Sequence, residues 1–340
     1  MDRVLIIAEA GVNHNGSIDL AFKLIDAAKD ADADYVKFQT FKAVNLVSRQ
    51  AKKAAYQSEN VTSSSDTQFD MLKKLELTEQ QHYELKAYAE AKGIKFLSTG
   101  FDEESIDFLD KLGIDFFKVP SGEITNYPYL KHIASKKKPV ILSTGMTTLG
   151  EIESALTLLI DNGIDKNDIK ILHCNTEYPT PMVDVNLRAM NSIAAAFGVE
   201  VGYSDHTLGI EIPIAAVAMG ASVIEKHFTL DKKMDGPDHK ASLDPAELKN
   251  MISAIRNVEL AISGTGFKQP SNSEKKNMAI ARKSIHLKTA LKKGTKLSYQ
   301  DLIMLRPGDG ITPFDIDKIV GLTLKADVEA WHKLSWHDLS

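Results

Sequence analysis

Eight times between Val4 and Glu225 a short β-type run gives way to a polar cluster and then to a helical stretch. The runs are Val4–Ala8, Tyr35–Phe38, Lys95–Leu97, Phe116–Val119, Val140–Leu142, Ile169–Leu172, Glu200–Gly202 and Val223–Glu225. The helical stretches carry their own start signals. Ser17 is placed to cap a helix with Leu20, Leu24, Ile25 and Ala28 on one face, and Thr148-Leu-Gly-Glu151 reads as a capping box ahead of Ile152, Leu156, Leu159 and Ile160. Strands alternating with helices argue for an α/β chain with a parallel sheet buried on both faces, and eight units point to a closed (β/α)8 TIM barrel. A doubly wound open sheet is the competing architecture. No G-x-G-x-x-G follows the first run, which weakens a dinucleotide-binding reading.

The spacing breaks once, between the second and third runs. The Ser/Asn/Thr-rich stretch Ser58–Thr67 lies there and is expected to form a long loop over the barrel mouth. After an amphipathic helix over Pro245–Ile262, the Gly, Ser, Asn and Pro of Ser263–Ser273 mark a linker. The expected division is a barrel domain over 1–262, a linker over 263–280, and a small β-rich domain over 281–340 with turn signals at Lys293-Gly294 and Pro307-Gly-Asp-Gly310. A net charge of −5 gives no basic excess for nucleic acid or a membrane surface. The one cysteine, Cys174, excludes an internal disulfide framework and a Cys-rich zinc site. Val4–Ala8 is too short for a signal peptide, and Ile212–Ile224 is interrupted by Pro213 and Gly220, so a cytoplasmic protein without a membrane span is expected.

A barrel of this kind places its active site at the C-terminal ends of the strands. Reading just past each run gives Glu9, Asn13 and His14; Lys37 and Gln39; Ser98 and Thr99; Lys118, Ser121 and Glu123; Ser143 and Thr144; His173, Asn175, Glu177 and Tyr178; Ser204, Asp205 and His206; Glu225, Lys226 and His227. Loops are polar in any case, but the recurrence of Lys, Glu and His beside apolar strand bodies favours a catalytic rim. His206 and His227 end neighbouring runs and could hold one divalent ion, with water or substrate completing its coordination. Spacing alone favours structural histidines. Glu225 would then orient a metal-bound water. Lys37 and Lys118, with nearby hydroxyls, would cradle phosphate and carboxylate groups. Either lysine could instead be a Schiff-base nucleophile, or a structural partner of Glu9 or Glu123. Cys174 reads as a small buried residue.

The residues themselves are familiar as a set. Ile7-Ala-Glu-Ala-Gly-Val-Asn-His-Asn-Gly16, Val36-Lys-Phe-Gln39, Lys118-Val-Pro-Ser-Gly-Glu123, Ile141-Leu-Ser-Thr-Gly-Met146, His173-Cys-Asn-Thr-Glu-Tyr-Pro-Thr-Pro181, Gly202-Tyr-Ser-Asp-His-Thr207 and Glu225-Lys-His-Phe-Thr229 resemble the sialic acid synthase family. The tail, with Asp301-Leu302 and Leu305-Arg-Pro-Gly-Asp-Gly310, resembles that family's C-terminal antifreeze-like (SAF) domain. Gly122–Asn126, His173–Pro181 and Ser204–Ala216 look closest to the N,N'-diacetyllegionaminate synthases of that family. One departure is Gly100, where the family usually has proline, a change expected to loosen the loop around Thr99.

The resemblance implies condensation of phosphoenolpyruvate with an open-chain N-acetylated amino sugar and water, giving a nine-carbon 2-keto acid and phosphate. It implies Mn²⁺ or Mg²⁺ on His206 and His227, phosphoenolpyruvate on Lys37, Thr99, Lys118, Ser121, Ser143 and Ser204, and the sugar on Glu9, Gln39, Glu123, Tyr178 and Asp238. Glu9 and Glu225 are its candidates for proton transfer, with Lys118 beside them. Thr176 is the expected site where the pocket becomes less polar for a diacetamido trideoxy sugar. The family's arrangement implies a domain-swapped homodimer in which Arg306, on a turn fixed by Pro307 and Gly308, reaches the partner's sugar; its competing role is an ion pair with Asp309. Three readings stay open. They are a diacetyllegionaminate or N-acetylneuraminate synthase, the latter using N-acetylmannosamine; a Schiff-base aldolase; and a non-catalytic carbohydrate-binding protein.

Overall fold

The computed structural model describes residues 3–60 and 67–340. Eight strands run parallel: β1 Leu5–Gly11, β2 Tyr35–Thr40, β3 Lys95–Gly100, β4 Phe117–Val119, β5 Val140–Ser143, β6 Ile169–Cys174, β7 Glu200–Asp205 and β8 Val223–His227. Their order is β3-β2-β1-β8-β7-β6-β5-β4. The first strand pairs with the last, Glu9 opposite His227, which curls the sheet into a barrel and rules out the doubly wound alternative. Closure is incomplete at one place: β3 and β4 lie side by side, but among the described residues no strand ladder joins them.

The strand bodies read as continuous apolar runs because helices cover their outer faces. Ser17 accepts a hydrogen bond from the Leu20 N–H and opens the helix Ile18–Asp30, which buries Ala21, Leu24, Ile25 and Ala28. Thr148 and Glu151 form the expected capping box of Leu149–Asp161, and Asp244 with Glu247 does the same for Pro245–Ile262. In β7, the Gly202 Cα lies so close to β8 that an added methyl would sit 2.4 Å from the Val223 carbonyl oxygen and 2.7 Å from Leu172 Cδ2.

The segment between β2 and β3 corrects the expected long loop. It contains the helices Ala43–Leu46, Ala55–Asn60 and Gln68–Leu75, followed by Glu79–Lys92. Thr67 with Asp70 and Thr78 with Gln81 are capping boxes, so part of the Ser/Thr richness is helix punctuation. Residues 61–66 of the predicted Ser58–Thr67 loop lie outside the described residues. Val12, Phe41, Met71 and Leu75 form a small apolar cluster of their own here, with Leu46, Leu72 and Phe101 against it. Gly100 is likewise no loosened loop. It ends β3 opposite Thr40, and its carbonyl accepts from the Tyr129 hydroxyl on the helix after β4.

The chain divides into a unit ending at Ser263 and a unit Gly264–Ser340. The predicted linker over 263–280 is only partly a linker, because Ser271 and Glu274 cap a helix over Asn272–Ala281 that buries no residue. The second unit packs Ile285, Leu287, Leu297, Leu302, Ile311, Ile319, Leu324, Leu334 and Leu339 around an antiparallel pair, β9 Ser284–Leu287 and β10 Leu302–Leu305.

Gly202→Ala is expected to destabilise the barrel by about 1–3 kcal/mol, the usual cost of forcing a methyl into a packed interior. Urea unfolding should show a lower midpoint with an unchanged slope, and an unchanged midpoint would show that the strands can separate at no cost.

Candidate active site

The two-residue period of a strand decides which side chains enter the barrel. Glu9, Lys37, Lys118 and Glu225 come from β1, β2, β4 and β8, are all buried, and line one pocket at the strand C-termini. Lys37 Nζ lies 2.9 Å from Glu9 Oε2 and 3.6 Å from Glu225 Oε2, and Lys118 Nζ lies 3.4 Å from Glu225 Oε1. Thr99 accepts from Lys37 at 2.9 Å, and Ser204 donates to Glu225 at 3.0 Å. Neighbouring charges separate the two carboxyls. Burial raises Glu9 to about 7, with Lys37 opposing and the Glu225 charge assisting. Burial pushes Glu225 up as well, but the Lys118 and Lys37 charges overcome it and hold that carboxyl far below its usual range. Burial lowers Lys118, whereas for Lys37 the Glu225 and Glu9 charges outweigh burial and raise it. Both lysines therefore pair with carboxylates, and Lys37 takes Glu9 as the ion-pair reading expected.

A second corner is made of rings. His206 and His227 stand with centroids 5.4 Å apart, and Tyr178 stacks on His206 at 4.0 Å. Burial depresses both imidazoles, His206 to about 4 and His227 well below its ordinary value, so each is neutral at pH 7. His206 Nδ1 faces the Asn175 carbonyl, which fixes the proton there and leaves the Nε2 lone pair 3.0 Å from the Tyr178 hydroxyl. His227 Nδ1 is buried without a hydrogen-bond partner, an orphan of the kind a cation or ligand satisfies. These two neutral imidazoles fit a divalent ion. Among the described residues no group of three or more His, Cys, Asp or Glu is arranged to hold one. Water and substrate would have to complete its coordination.

The remaining barrel candidates border the same pocket. Gln39 donates to Glu9 at 3.3 Å. Ser121 Oγ accepts from the Gly145 N–H and lies 3.2 Å from Cys174 Sγ, while Ser143 Oγ is buried with no partner. Glu123 accepts from Asn126 at 2.6 Å. The Thr176 methyl packs towards Gly145 Cα. Asp238 is buried, and burial alone lifts its carboxyl to about 7. Arg306 lies exposed in the second unit, and Asp309, its expected ion-pair partner in the competing role, takes Lys333 at 2.6 Å instead. Cys174 is buried, and burial raises its thiol, which leaves it protonated.

The strand-end reading counted Asp205, Lys226 and Asn13 with the rim, but they act as supports. Lys226 and Asp205 face away from the lumen, wholly buried, and pair at 2.5 Å. Lys226 also donates to the Thr207 carbonyl. Because Lys226 lies between Glu225 and His227, and Asp205 between Ser204 and His206, this pair fixes both strand ends from behind. The loop carrying Asp238 is pinned in a similar way: Asn13 donates to the Phe228 carbonyl and to Ser242 Oγ, and His239 bonds Thr229 and Asn15. Alternation could have revealed the first of these supports. The second depends on contacts across more than 200 residues.

Residues 24–267 match the NeuB family and residues 282–340 match the SAF domain. A Legionella pneumophila protein named N,N'-diacetyllegionaminic acid synthase is 53% identical over 98% of this chain and 94% of its own. One of the same name from Campylobacter jejuni is 54% identical over 94% of this chain and 96% of its own. The crystal structure of a Leptospira borgpetersenii N-acetylneuraminic acid synthetase superposes with a TM-score of 0.70 at 32% identity, covering 81% of this chain and 90% of that one.

Lys226→Met should strand the Asp205 carboxylate and cost about 3–5 kcal/mol, whereas the double change with Asp205→Asn should recover most of the loss. Thermal and urea unfolding check this, and equal losses in the single and double variants would show that packing alone is at stake. Asp238 makes a second expectation. Its folded pKa exceeds the unfolded value, so its contribution is full below about pH 4 and is lost as pH rises through about 7. Asp238→Asn should flatten that part of the stability profile.

Proposed function

This chain belongs to the NeuB family, and we propose that it condenses phosphoenolpyruvate with 2,4-diacetamido-2,4,6-trideoxymannose and water to give N,N'-diacetyllegionaminate and phosphate. The observation that carries the reading is the pocket floor, where the paired cations Lys37 and Lys118 adjoin the neutral imidazoles His206 and His227. Lys37, Lys118, Thr99, Ser121, Ser143 and Ser204 hold the carboxylate and phosphate of phosphoenolpyruvate. Its C3 then attacks the sugar aldehyde carbon, the enol π pair forms the new C–C bond, and positive character develops at C2. Glu225, kept ionised by the two lysines, faces that charge. Glu9 holds a proton near neutral pH and gives it to the aldehyde oxygen. Water adds at C2 and returns one proton to Glu9, and phosphate leaves with the other as the C2 carbonyl forms. Gln39, Glu123, Thr176, Tyr178 and Asp238 orient the sugar.

His206 and His227 hold Mn²⁺ or Mg²⁺ on this reading, which supplies Lewis-acid polarisation of the aldehyde. The reading also places the enzyme in the cytoplasm, where phosphoenolpyruvate is made. It makes the working form a homodimer in which Arg306 of each SAF domain serves the partner's sugar, where a guanidinium can donate paired hydrogen bonds to an acetamido carbonyl.

Phosphate release from phosphoenolpyruvate should require the sugar. Equal kcat/KM with N-acetylmannosamine would replace this reading with a plain sialic acid synthase, and borohydride trapping on Lys118 or Lys37 would replace it with an aldolase. His206→Ala and His227→Ala should each lower metal affinity by calorimetry and lower kcat while the chain stays folded. Full turnover by metal-stripped protein in EDTA would remove the metal from the mechanism. Mixing Arg306→Ala chains with His206→Ala chains should restore part of the activity through dimers that have one intact site, and no recovery despite subunit exchange would remove the trans role.

A further inference from the structure

On the helix side of β2 and β3 lies a polar chain that the condensation chemistry does not use. The pleat turns Lys37, Gln39 and Thr99 into the pocket, and so turns Thr40 and Ser98 outwards. Thr40 Oγ1 lies 2.7 Å from Ser98 Oγ and 2.8 Å from Nε2 of His82, on the helix Glu79–Lys92. His82 Nδ1 lies 2.8 Å from the Thr78 carbonyl, which fixes the proton there. Nε2 therefore accepts from Thr40, and Thr40 in turn accepts from Ser98. All three side chains are buried. The imidazole stands nearly perpendicular to the rings of Phe96 and Phe108, with centroids 6.5 and 5.5 Å away.

Polar groups among such neighbours cost stability unless they bond one another, and apolar side chains of the same shape would fill the space without that demand. What this chain achieves instead is a tie between two strands at the residues where they meet the pocket. Gln39 pairs with Thr99 in the β2–β3 register; Thr40 directly follows Gln39, and Ser98 directly precedes Thr99. We propose that His82 is a positioning residue for phosphoenolpyruvate: by fixing Thr40 and Ser98 it sets where Thr99 presents its hydroxyl beside Lys37. The inference rests on the phosphoenolpyruvate site of the condensation reading above. Thr99 accepts from Lys37 at 2.9 Å, which leaves its own proton for an anion, and that hydrogen bond depends on direction. His82 lies outside the pocket and acts through the strand ends, as Lys226 and Asp205 do for β7 and β8.

The test reads phosphoenolpyruvate binding by calorimetry with Mn²⁺ present, beside urea unfolding and phosphate release by the same chains. Thr40→Val keeps the shape and removes the link, and should weaken phosphoenolpyruvate binding about tenfold, most of one hydrogen bond to a charged group. His82→Leu should lose as much, and the double variant no more than either single one. His82→Gln, whose amide oxygen can stand in for Nε2, should stay within about threefold of wild type. At saturating phosphoenolpyruvate, kcat should stay within about threefold in every variant. Full affinity in a folded Thr40→Val chain, whatever its unfolding midpoint, overturns the inference and makes the polar chain structural alone. Equal losses in His82→Gln and His82→Leu overturn it as well. Wild-type binding of phosphoenolpyruvate without sugar-dependent phosphate release overturns the condensation and leaves the binding arm to decide the positioning role. No binding by the wild-type chain overturns both.

Discussion

Two ammonium groups held against two carboxylates, all buried at the floor of the barrel mouth, are the constraint to which the other elements answer. Each of these charges would be costly alone, since burial of an unpaired ion costs several kcal/mol. Together they are tolerable, and only at separations near 3 Å. That requirement reaches back into the backbone. Lys37 meets Glu9 because β1 and β2 pair with those residues in register, and Ser204 meets Glu225 for the same reason in β7 and β8. A slip of one residue in either ladder would turn a floor of charges towards the helices.

The unequal proton affinities of Glu9 and Glu225 follow from the same lattice. Glu225 lies within 4 Å of both lysines, while Glu9 has one close ammonium and a second carboxylate nearby. Two chemically similar groups thereby come to differ in charge at one pH, which a site needs if one is to donate a proton and the other to face a cation. Behind the strands, Lys226 and Asp205 answer the same geometry with an opposite purpose, contributing no chemistry and holding the ends of β7 and β8 in place.

Much of this was legible in the chain itself, and the boundary has physical causes. Strands such as Val140–Ser143 were visible because a parallel strand covered on both faces is a nearly continuous apolar run. The barrel rim was visible because functional side chains follow such runs directly. The inserted helices between β2 and β3 were hidden by their own caps, whose Ser and Thr residues resemble a loop's. The helix Asn272–Ala281 was hidden because it buries nothing and so shows no apolar period. The orientation of Thr176 and the capture of Asp309 by Lys333 depend on approaches between distant backbone segments that spacing does not encode.

The unladdered join between β3 and β4 has a consequence for the cradle. Thr99 stands on one side of that join and Lys118 on the other, and the Tyr129 hydroxyl spans it to the Gly100 carbonyl. An anion gripped from both sides is a rivet across a hoop whose ends were never welded. On the proposed reading, phosphoenolpyruvate held by both residues would add between these two strands a tie that the backbone does not make.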